Sequence, residues 1–218
     1  STQSIDDLTF APDFVWIKPR SQADNHNLFD TIRGVQKQLI SNNTSAESTQ
    51  PNTLTSFNSN GFSIGPDNNI NTSAQTYVGW NWKAGGAAVS NTDGTITSQV
   101  SANVDAGFSI VKWTGGSGTV GHGLDSAPEI IFTKVTNTAD NWVVYNNTIG
   151  ATKALYLDLT LAAATNSTYW SDTNPSSSVF TLGSSFNSSN NFIAYCFASI
   201  PGFSDIGSYI GLGSSANP

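Results

Sequence analysis

The chain has 218 residues, only 11% of them are charged, and its formal net charge is −7 with an isoelectric point near 4.4. Because its 8 basic residues are scattered singly in an acidic chain, the sequence argues against a nucleic-acid partner. No apolar run approaches the length of about 18 residues that a membrane span requires, so membrane insertion is not expected. Ser, Thr, Asn and Gly stand where charges are missing, which favours short strands and tight turns over long helices.

The first part of the chain predicts short strands separated by turns. The predicted strands are residues 14–18, 28–32, 38–40, 62–64 and 76–82. The polar, turn-rich residues 41–60 predict a long loop. The Asp93-Gly94 pair then predicts a hairpin that leads into residues 95–100.

The second part of the chain repeats this pattern. The predicted strands are residues 108–113, 130–135, 142–145, 154–159, 178–182 and 192–199. Residues 165–178 predict a polar loop. Short strands at this spacing, with no long helix between them, predict an all-β antiparallel β-sandwich of jelly-roll, lectin-like type.

The two parts are copies of one design. Ala-Pro-Asp-Phe-Val-Trp-Ile-Lys at residues 11–18 returns as Ala-Pro-Glu-Ile-Ile-Phe-Thr-Lys at residues 127–134, a shift of 116 positions. Tyr-Val-Gly-Trp-Asn-Trp at residues 77–82 returns at residues 192–197 with a shift of 115. An internal duplication means that one supersecondary unit is used twice.

The duplication predicts the organisation of the chain. We predict a first β repeat at residues 1–86, a linker hairpin at 87–106 and a second β repeat at 107–201. Residues 202–218 begin with the same Gly-Phe-Ser that opens the second repeat at residue 107, with Tyr209 and Gly211 following. They predict either the opening strand of a further repeat or a closing strand of the sandwich.

Residues that could carry catalysis are sparse. The chain has two glutamates, and Glu129 matches Asp13 of the other copy at a strand start after proline, which indicates a structural role. A glycosidase of the sandwich type would need a pair of carboxylates flanking the scissile bond. His122 lies between two glycines, and we expect its ring to bond the backbone of a tight turn. The single cysteine, Cys196, is interpreted as a half-buried structural thiol.

Metal binding has weak support. The two histidines and one cysteine have no zinc-site spacing. Asp67 and Asp93 lie in Asn-rich turns and are weak calcium candidates, because such turns supply carboxylate and amide oxygens. The same turns are also typical of ordinary Asx turns. We therefore expect no cofactor, with calcium as the open possibility.

Aromatic residues are the best candidates for ligand binding, since sugars stack on Trp and Tyr rings. Positions that are aromatic in both copies predict core: Trp16 with Phe132, and the pair Trp80 and Trp82 with Tyr195 and Phe197.

A different set stands in the polar loop 165–178. Trp170 and Tyr169 have no aromatic counterpart in the first copy. With Asp172 and Asn174 they form the predicted glycan-binding set, because loops on a rigid scaffold carry binding residues. The alternative is that Trp170 packs on its own module.

Several runs together resemble a repeat module of marine tailed bacteriophages. They are Leu28-Phe29-Asp30-Thr31-Ile32-Arg33-Gly34, Trp80-Asn81-Trp82-Lys83-Ala84-Gly85-Gly86, Gly118-Thr119-Val120-Gly121-His122-Gly123-Leu124 and Asn141-Trp142-Val143-Val144-Tyr145. The resemblance implies a virion structural or tail-fibre protein with a concanavalin A-like lectin/glucanase-type sandwich. It implies an extracellular or virion location and no particular functional residue.

Three functions follow as hypotheses. The first is a non-enzymatic virion protein, in a tail fibre or on the capsid surface, that contacts host-surface polysaccharide and other virion proteins and is a homo-oligomer. The second is a purely architectural fibre or capsid-decoration protein that binds no sugar. The third is a polysaccharide depolymerase.

Overall fold

A computed structural model describes residues 1–186 and 189–211 of the chain, and these residues form antiparallel β-sheets. The strands of the first part are β1 (Gln3–Ile5), β2 (Phe14–Pro19), β3 (Asn27–Asp30), β4 (Lys37–Ile40), β5 (Ser48–Thr49), β6 (Leu54–Asn58), β7 (Gly61–Ile64), β8 (Tyr77–Trp82), β9 (Val89–Asn91) and β10 (Ser98–Asn103). A 3-10 helix (Val104–Ala106) precedes β11 (Phe108–Thr114), β12 (Gly118–Gly121), β13 (Ile130–Val135), β14 (Val143–Asn146), β15 (Lys153–Tyr156), β16 (Ala164–Thr165), α1 (Ser167–Trp170), β17 (Val179–Leu182) and β18 (Asn191–Phe197).

The strands form two large and two small sheets. The five-stranded sheet has the order β5-β4-β3-β2-β8, and the eight-stranded sheet has the order β16-β15-β14-β13-β18-β11-β10-β9. The small sheets are β1-β7-β6 and β12-β17. The predicted all-β antiparallel sandwich is confirmed. The strand order makes the jelly-roll expectation more specific. Strands β2 to β5 lie side by side in chain order, as do β13 to β16, and each set forms a β-meander.

The strand order also shows the duplication. Each strand of the five-stranded sheet has a counterpart in the same place of the eight-stranded sheet, from β5 and β16 at one end to β8 and β18 at the other. Beyond β18 the larger sheet continues with β11, β10 and β9. The smaller sheet ends at β8, which pairs with β2 alone among the described residues. The two repeats therefore differ in the strands that lie beside β8 and its counterpart β18.

Side-chain alternation on the strands builds three cores in a four-layer stack. On β2, Phe14 faces the second repeat, whereas Val15 faces the small sheet of its own repeat. On β18, Tyr195 and Cys196 divide in the same way between the central core and the core of the second repeat. The two large sheets thus pack face to face in the middle, and a small sheet covers the outer face of each.

A buried polar cluster lies in the central core between the repeats. Arg33 forms an ion pair with Asp30, and both side chains are at most 1% exposed. Arg33 also donates to the Leu28 carbonyl and, at 3.3 Å, to the hydroxyl oxygen of Tyr195. The Tyr195 hydroxyl donates to Asp30 at 2.8 Å, and Glu47 lies 3.3 Å from Arg33. Both charges of the ion pair thus have several partners, as buried charges require.

A surface loop forms a second set of hydrogen bonds between the repeats. Residue Thr44 accepts hydrogen bonds from the Asp140 amide at 2.9 Å and from Lys134 Nζ at 3.3 Å. Lys134 is 1% exposed, and burial lowers the pKa of its amine to about 8. The Glu47 amide donates to the Thr136 carbonyl at 2.9 Å. The polar residues after β4 are therefore held against the second repeat.

Three sequence predictions need correction. Residues 41–60 are not one long loop, because β5 and β6 lie within them. Residues 165–178 contain the short helix α1. The side chain of Trp80, predicted to be core, is 43% exposed because β8 is an edge strand.

The predicted C-terminal strand falls on residues 202–218, of which the structure describes residues 202–211. Residues 202–211 contain no strand; a bridge between Ile200 and Ser204 closes a turn, and residues 205–211 extend beyond it. Residues 212–218 of the predicted segment lie outside the described residues. Among the described residues, no helix combines the length and apolarity that a membrane span needs.

The central ion pair gives the first testable prediction. Substitution Arg33→Met is expected to lower the free energy of unfolding by about 3–5 kcal/mol, because Asp30 would remain buried and charged without its partner. The control is Lys37→Met, which removes an exposed pair to Glu47 and should cost less than about 1 kcal/mol. Urea unfolding of the variants measures both changes. Equal effects of the two substitutions would contradict the structural role given to Arg33.

Candidate functional site

Trp170 lies in the core of the second repeat. Its side chain is 1% exposed; its ring packs edge-on against Tyr145 at a centroid distance of 5.7 Å and in a tilted arrangement against Phe186 at 5.9 Å. A buried indole offers no face to a sugar. The prediction that Trp170 forms an exposed stacking platform is therefore wrong, and the alternative that it packs on its own module is confirmed.

The duplication explains this burial. In the first repeat, the amide of Gly65 donates to the Thr53 carbonyl, and in the second, the amide of Gly183 donates to the Tyr169 carbonyl. A side chain on Gly65 or Gly183 would collide with the passing backbone at 2.4 or 2.3 Å, which explains the glycines. The shared contact makes Trp170 the counterpart of Leu54, which is 0% exposed.

The other members of the predicted glycan set are dispersed. Tyr169 is half-buried, packs edge-on against Phe186 and accepts a hydrogen bond from the Tyr156 hydroxyl at 3.3 Å. Burial raises the pKa of Tyr169. Asn174 Oδ1 accepts from the Ala151 amide at 2.9 Å and so fastens the loop to its own repeat. Asp172 is exposed, with a positive φ of 50°. The structure does not bring these four side chains together as one sugar-binding surface.

The side chains of the two calcium candidates accept hydrogen bonds within their own turns. Asp67 Oδ1 accepts from the amide of Asn69 at 2.8 Å, and Asp93 Oδ2 accepts from Asn91 Nδ2 at 2.9 Å. They lie in separate loops, one between β7 and β8 and the other between β9 and β10. No group of three His, Cys, Asp or Glu side chains within residues 1–186 and 189–211 could hold a metal ion.

Asp13 and Glu129 stabilise the ends of equivalent strands. Asp13 Oδ2 accepts from the Ala84 amide at 2.8 Å, and Glu129 Oε1 accepts from the Ser199 amide at 3.0 Å. The remaining oxygen of Glu129 accepts from Asn147 Nδ2 at 2.8 Å. The predicted structural role of Glu129 is confirmed.

His122 and Cys196 are also part of the scaffold. His122 is 0% exposed; its Nδ1 accepts from the Leu124 amide at 3.1 Å, and its Nε2 lies 3.1 Å from the Ser176 carbonyl. This pattern fits the neutral ring with the proton on Nε2, and burial lowers the pKa of His122. Cys196 is fully rather than half buried, and burial raises the pKa of its thiol to about 12, so thiolate chemistry is disfavoured.

The solvent-facing aromatic cluster lies instead on the first repeat and consists of Trp16, Trp80 and His26. The Trp80 ring meets the Trp16 ring edge-on at 6.1 Å, and Trp16 Nε1 donates to His26 Nδ1 at 2.9 Å. We call this cluster the Trp80 platform. Because His26 Nδ1 accepts a hydrogen bond, a neutral His26 carries its proton on Nε2. Burial first, and then the charge of Lys18, lower the pKa of His26, which favours that neutral form.

A groove of about 800 Å³ lies on the other face of β8. Phe62 and Ile64 of the small sheet form one wall, Tyr77 and Gly79 of β8 form another, and the mostly polar residues 71–75 complete the rim. We call it the β8 groove. Both this groove and the Trp80 platform adjoin the strand at which the five-stranded sheet ends.

Sequence reasoning missed both sites for the same reason. It compared residue types between the copies and assumed equal surroundings. Trp80 and Tyr195 are counterparts at a shift of 115, but Tyr195 is 0% exposed whereas Trp80 is 43% exposed. The available signal was the segment at residues 108–114, which forms β11 beside β18, whereas β8 has no such neighbour among the described residues.

A family model described as a domain of unknown function (DUF7483) matches residues 1–218. The chain therefore belongs to this family. The match assigns no activity, ligand or partner. No curated protein and no solved structure matches the chain significantly.

The burial of Trp170 gives a second testable prediction. Substitution Trp170→Ala should lower the free energy of unfolding by about 3–5 kcal/mol, because it leaves a cavity in the core. Trp170→Leu should cost less, since leucine fills the equivalent position of the first repeat. Chemical denaturation measures both changes, with the exposed substitution Leu161→Ala as a control within about 0.5 kcal/mol of the parent. An unchanged stability of Trp170→Ala would refute the packing described above.

The buried neutral histidine gives a third prediction, for pH. The unfolded chain binds a proton at His122 below about pH 6.5, whereas the folded chain resists it, so stability is full above that pH and falls below it. The contribution is at most about 1.4 kcal/mol per pH unit for one proton. Urea unfolding between about pH 5.5 and 7.5 should show a shallower decline for His122→Gln than for the parent. His26→Gln, at a partly exposed site, is the matched comparison and should change the pH dependence of the unfolding free energy less than His122→Gln does. A larger effect of His26→Gln would show that His122 is not the group responsible for the decline.

Proposed function

We propose that the chain is a non-enzymatic module of a bacteriophage virion, in a tail fibre or on the capsid surface, that contacts host-surface glycan through the Trp80 platform. The virion location is inferred from the resemblance of its sequence runs to phage repeat modules. The observation that carries glycan binding is the exposed Trp80 ring, 43% accessible and held in place by Trp16.

The platform has the properties that sugar stacking requires. A pyranose ring presents C–H groups to an aromatic face, and an exposed indole supplies a large apolar face at low entropic cost. The hydrogen bond from Trp16 to His26 and the edge-on contact to Trp80 restrict both rings before a ligand arrives. Such preorganisation reduces the ordering cost of binding.

Polar groups lie close to the platform in the chain and can bond sugar hydroxyls. His26 offers its Nε2 proton in the neutral form. The preceding residue, Asn25, accepts a hydrogen bond from Asn42 Nδ2 at 2.9 Å at the protein surface. Amide and imidazole groups beside an aromatic ring are a typical combination for fixing the orientation of a small polar ligand.

The roles of the glutamates support a non-enzymatic function over the depolymerase hypothesis. Glu129 accepts hydrogen bonds at a strand end, and Glu47 is paired with Arg33 and Lys37. A glycosidase needs one carboxyl group poised as an acid and a second as base or nucleophile across a cleft. Here both glutamates are engaged in holding the scaffold.

A purely architectural role is the second candidate. It is favoured by apolar residues of the C-terminal segment that stand in solvent: Phe203 is 71%, Tyr209 95% and Ile210 88% exposed. Exposed apolar side chains in one segment indicate a surface that another protein covers. Sugar binding and such packing can coexist, because one weak site gains avidity when many copies are displayed together.

The test is glycan-array binding followed by calorimetry on the best hit. Trp80→Ala should weaken binding by about 10-fold or more, since a removed aromatic anchor typically costs at least 1.4 kcal/mol. Leu161→Ala, another exposed apolar residue at 62% accessibility, is the matched control and should bind like the parent. Unchanged affinity of Trp80→Ala would exclude the platform. Release of reducing ends from host polysaccharide by the parent would replace this proposal with the depolymerase.

A further inference from the structure

Lys18 lies on the same face of the first repeat as the Trp80 platform. Because side chains alternate between the two faces of a strand, Lys18 shares a face of β2 with Trp16, which lies directly opposite Trp80 of β8. The register of β2 with β3, continued by one residue, places Lys18 opposite His26. The charge of Lys18 also contributes to the lowered pKa of His26, after the larger effect of burial. We call Trp16, Lys18, His26 and Trp80 the open quartet.

The second repeat has the same four positions. Their counterparts, at shifts of 116 for the first three and 115 for the last, are Phe132, Lys134, Trp142 and Tyr195. Phe132 lies directly opposite Tyr195, just as Trp16 lies opposite Trp80. We call these four residues the covered quartet, because the first repeat packs on them. The covered quartet therefore shows which groups these positions accept.

The first repeat presents a ring face and oxygen acceptors to the covered quartet. The Phe14 ring stacks on the Tyr195 ring at a centroid distance of 4.1 Å. The Tyr195 hydroxyl donates to the Asp30 carboxylate at 2.8 Å, and Trp142 Nε1 donates to the Ile40 carbonyl at 2.8 Å. An apolar ring face and nearby oxygen acceptors, one of them a carboxylate, are also the groups that an acidic sugar carries.

The two lysines differ in how many of their donors are used. Lys134 Nζ donates to three main-chain carbonyls, those of Val135 at 3.0 Å, Asp140 at 2.9 Å and Thr44 of the first repeat at 3.3 Å. Lys18 Nζ donates at 2.7 Å to the carbonyl of Pro19 and has no second acceptor in the described part of the chain. Since an ammonium group carries three donors, two of those on Lys18 are left for a ligand.

The free polar atoms of the open quartet are all hydrogen-bond donors. Trp16 Nε1 and His26 Nδ1 satisfy each other at 2.9 Å. This leaves the Lys18 ammonium group, the Nε2 proton of neutral His26 and the indole N–H of the exposed Trp80. A ligand must therefore bring acceptor oxygens. The charge of Lys18 favours a negative acceptor, because charge-assisted hydrogen bonds are about twice as strong as neutral ones.

No carboxylate among the described residues is paired with Lys18. The ion pairs that these residues form involve Arg33 and Lys37. Asp24, two residues before His26, accepts a hydrogen bond from the side-chain amide of Gln22. The positive charge of Lys18 is thus available to a ligand, although the net charge of the chain is −7.

We propose that the open quartet binds a uronic acid, a pyranose that carries a carboxylate, within an acidic polysaccharide. The pyranose ring stacks on the Trp80 ring, as the Phe14 ring stacks on Tyr195. Its carboxylate accepts from Lys18 Nζ, and a neighbouring sugar oxygen accepts from His26 Nε2. This inference rests on the proposed glycan binding and adds the chemical class of the sugar.

Matched probes isolate the contribution of the carboxylate. Oligomers of galacturonic, glucuronic, mannuronic and guluronic acid are compared by calorimetry with their methyl esters, which keep the ring and lose the charge. At least one acid oligomer should bind the unaltered protein about 10-fold more tightly than its ester, as a charge-assisted hydrogen bond predicts. Raising the salt from about 0.05 to about 0.5 M should reduce this preference. Equal affinities of acid and ester in all four pairs would overturn the proposal.

Lys18→Met removes the charge and keeps most of the apolar stem. It should weaken binding of the preferred acid oligomer by about 10-fold or more and leave binding of its ester unchanged. Lys112→Met is the matched control, because it changes the net charge equally at an exposed position of β11, and it should bind the acid oligomer like the parent. Equal losses in both variants would attribute the preference to net charge and contradict a site at Lys18.

Trp80→Ala separates this inference from the function on which it rests. It should weaken binding of the acid and of the ester by the same factor, so that their ratio is kept. Unchanged binding by Trp80→Ala would exclude the platform and the uronic acid site with it. Binding that requires Trp80 but does not distinguish acid from ester would keep the platform and overturn the uronic acid alone. The ester comparison uses the unaltered protein, so it remains decisive if Lys18→Met fails to fold.

Discussion

The ring of Phe14 stacks on the ring of Tyr195 at 4.1 Å where the two repeats meet, and the Tyr195 hydroxyl donates to Asp30 beneath it. This contact places β18 of one repeat over β2 of the other, so each large sheet is buried on both faces. Strands with two buried faces have little room for charged side chains, because an unpaired buried charge is strongly unfavourable. The low charge content of the chain follows from this stacking, and Arg33 is accepted in the centre only because Asp30, Tyr195 and main-chain carbonyls surround it.

One difference between the repeats produces the surface features of the first. The strand β18 has a neighbour on each side, whereas β8 has one among the described residues. The exposure of Trp80, the volume of the β8 groove and the unpaired oxygen of Asn81 all occur at that edge. In the sister repeat the equivalent positions, Tyr195 and Cys196, are fully buried. These three features of the first repeat therefore share one structural cause, which is that β8 has a single neighbouring strand among the described residues.

Local patterns predicted the all-β class and most strands, because alternation and the Ala-Pro starts of β2 and β13 are local signals. They missed β6, in which Leu54 is the single fully buried residue and Phe57 the one other apolar residue beside Thr, Ser and Asn. They misplaced Trp170, although extending the shift of 116 through the polar loop pairs it with Leu54. They also misjudged Trp80, since the number of neighbours of a strand depends on pairing between distant segments. Two matching residues of the repeats therefore have the same environment only where the strands that surround them are arranged in the same order.

The edge strands of the two large sheets differ in length and composition. Native sheets usually protect their edges with short strands or charged residues, because an open edge pairs with other chains. The other edges of the two large sheets follow this rule in length: β5 and β16 have two residues each and β9 has three. In contrast, β8 has six residues, none of them charged, including the exposed Gly79 and Trp80. An uncharged edge of this length leaves main-chain groups of β8 available for pairing with another strand.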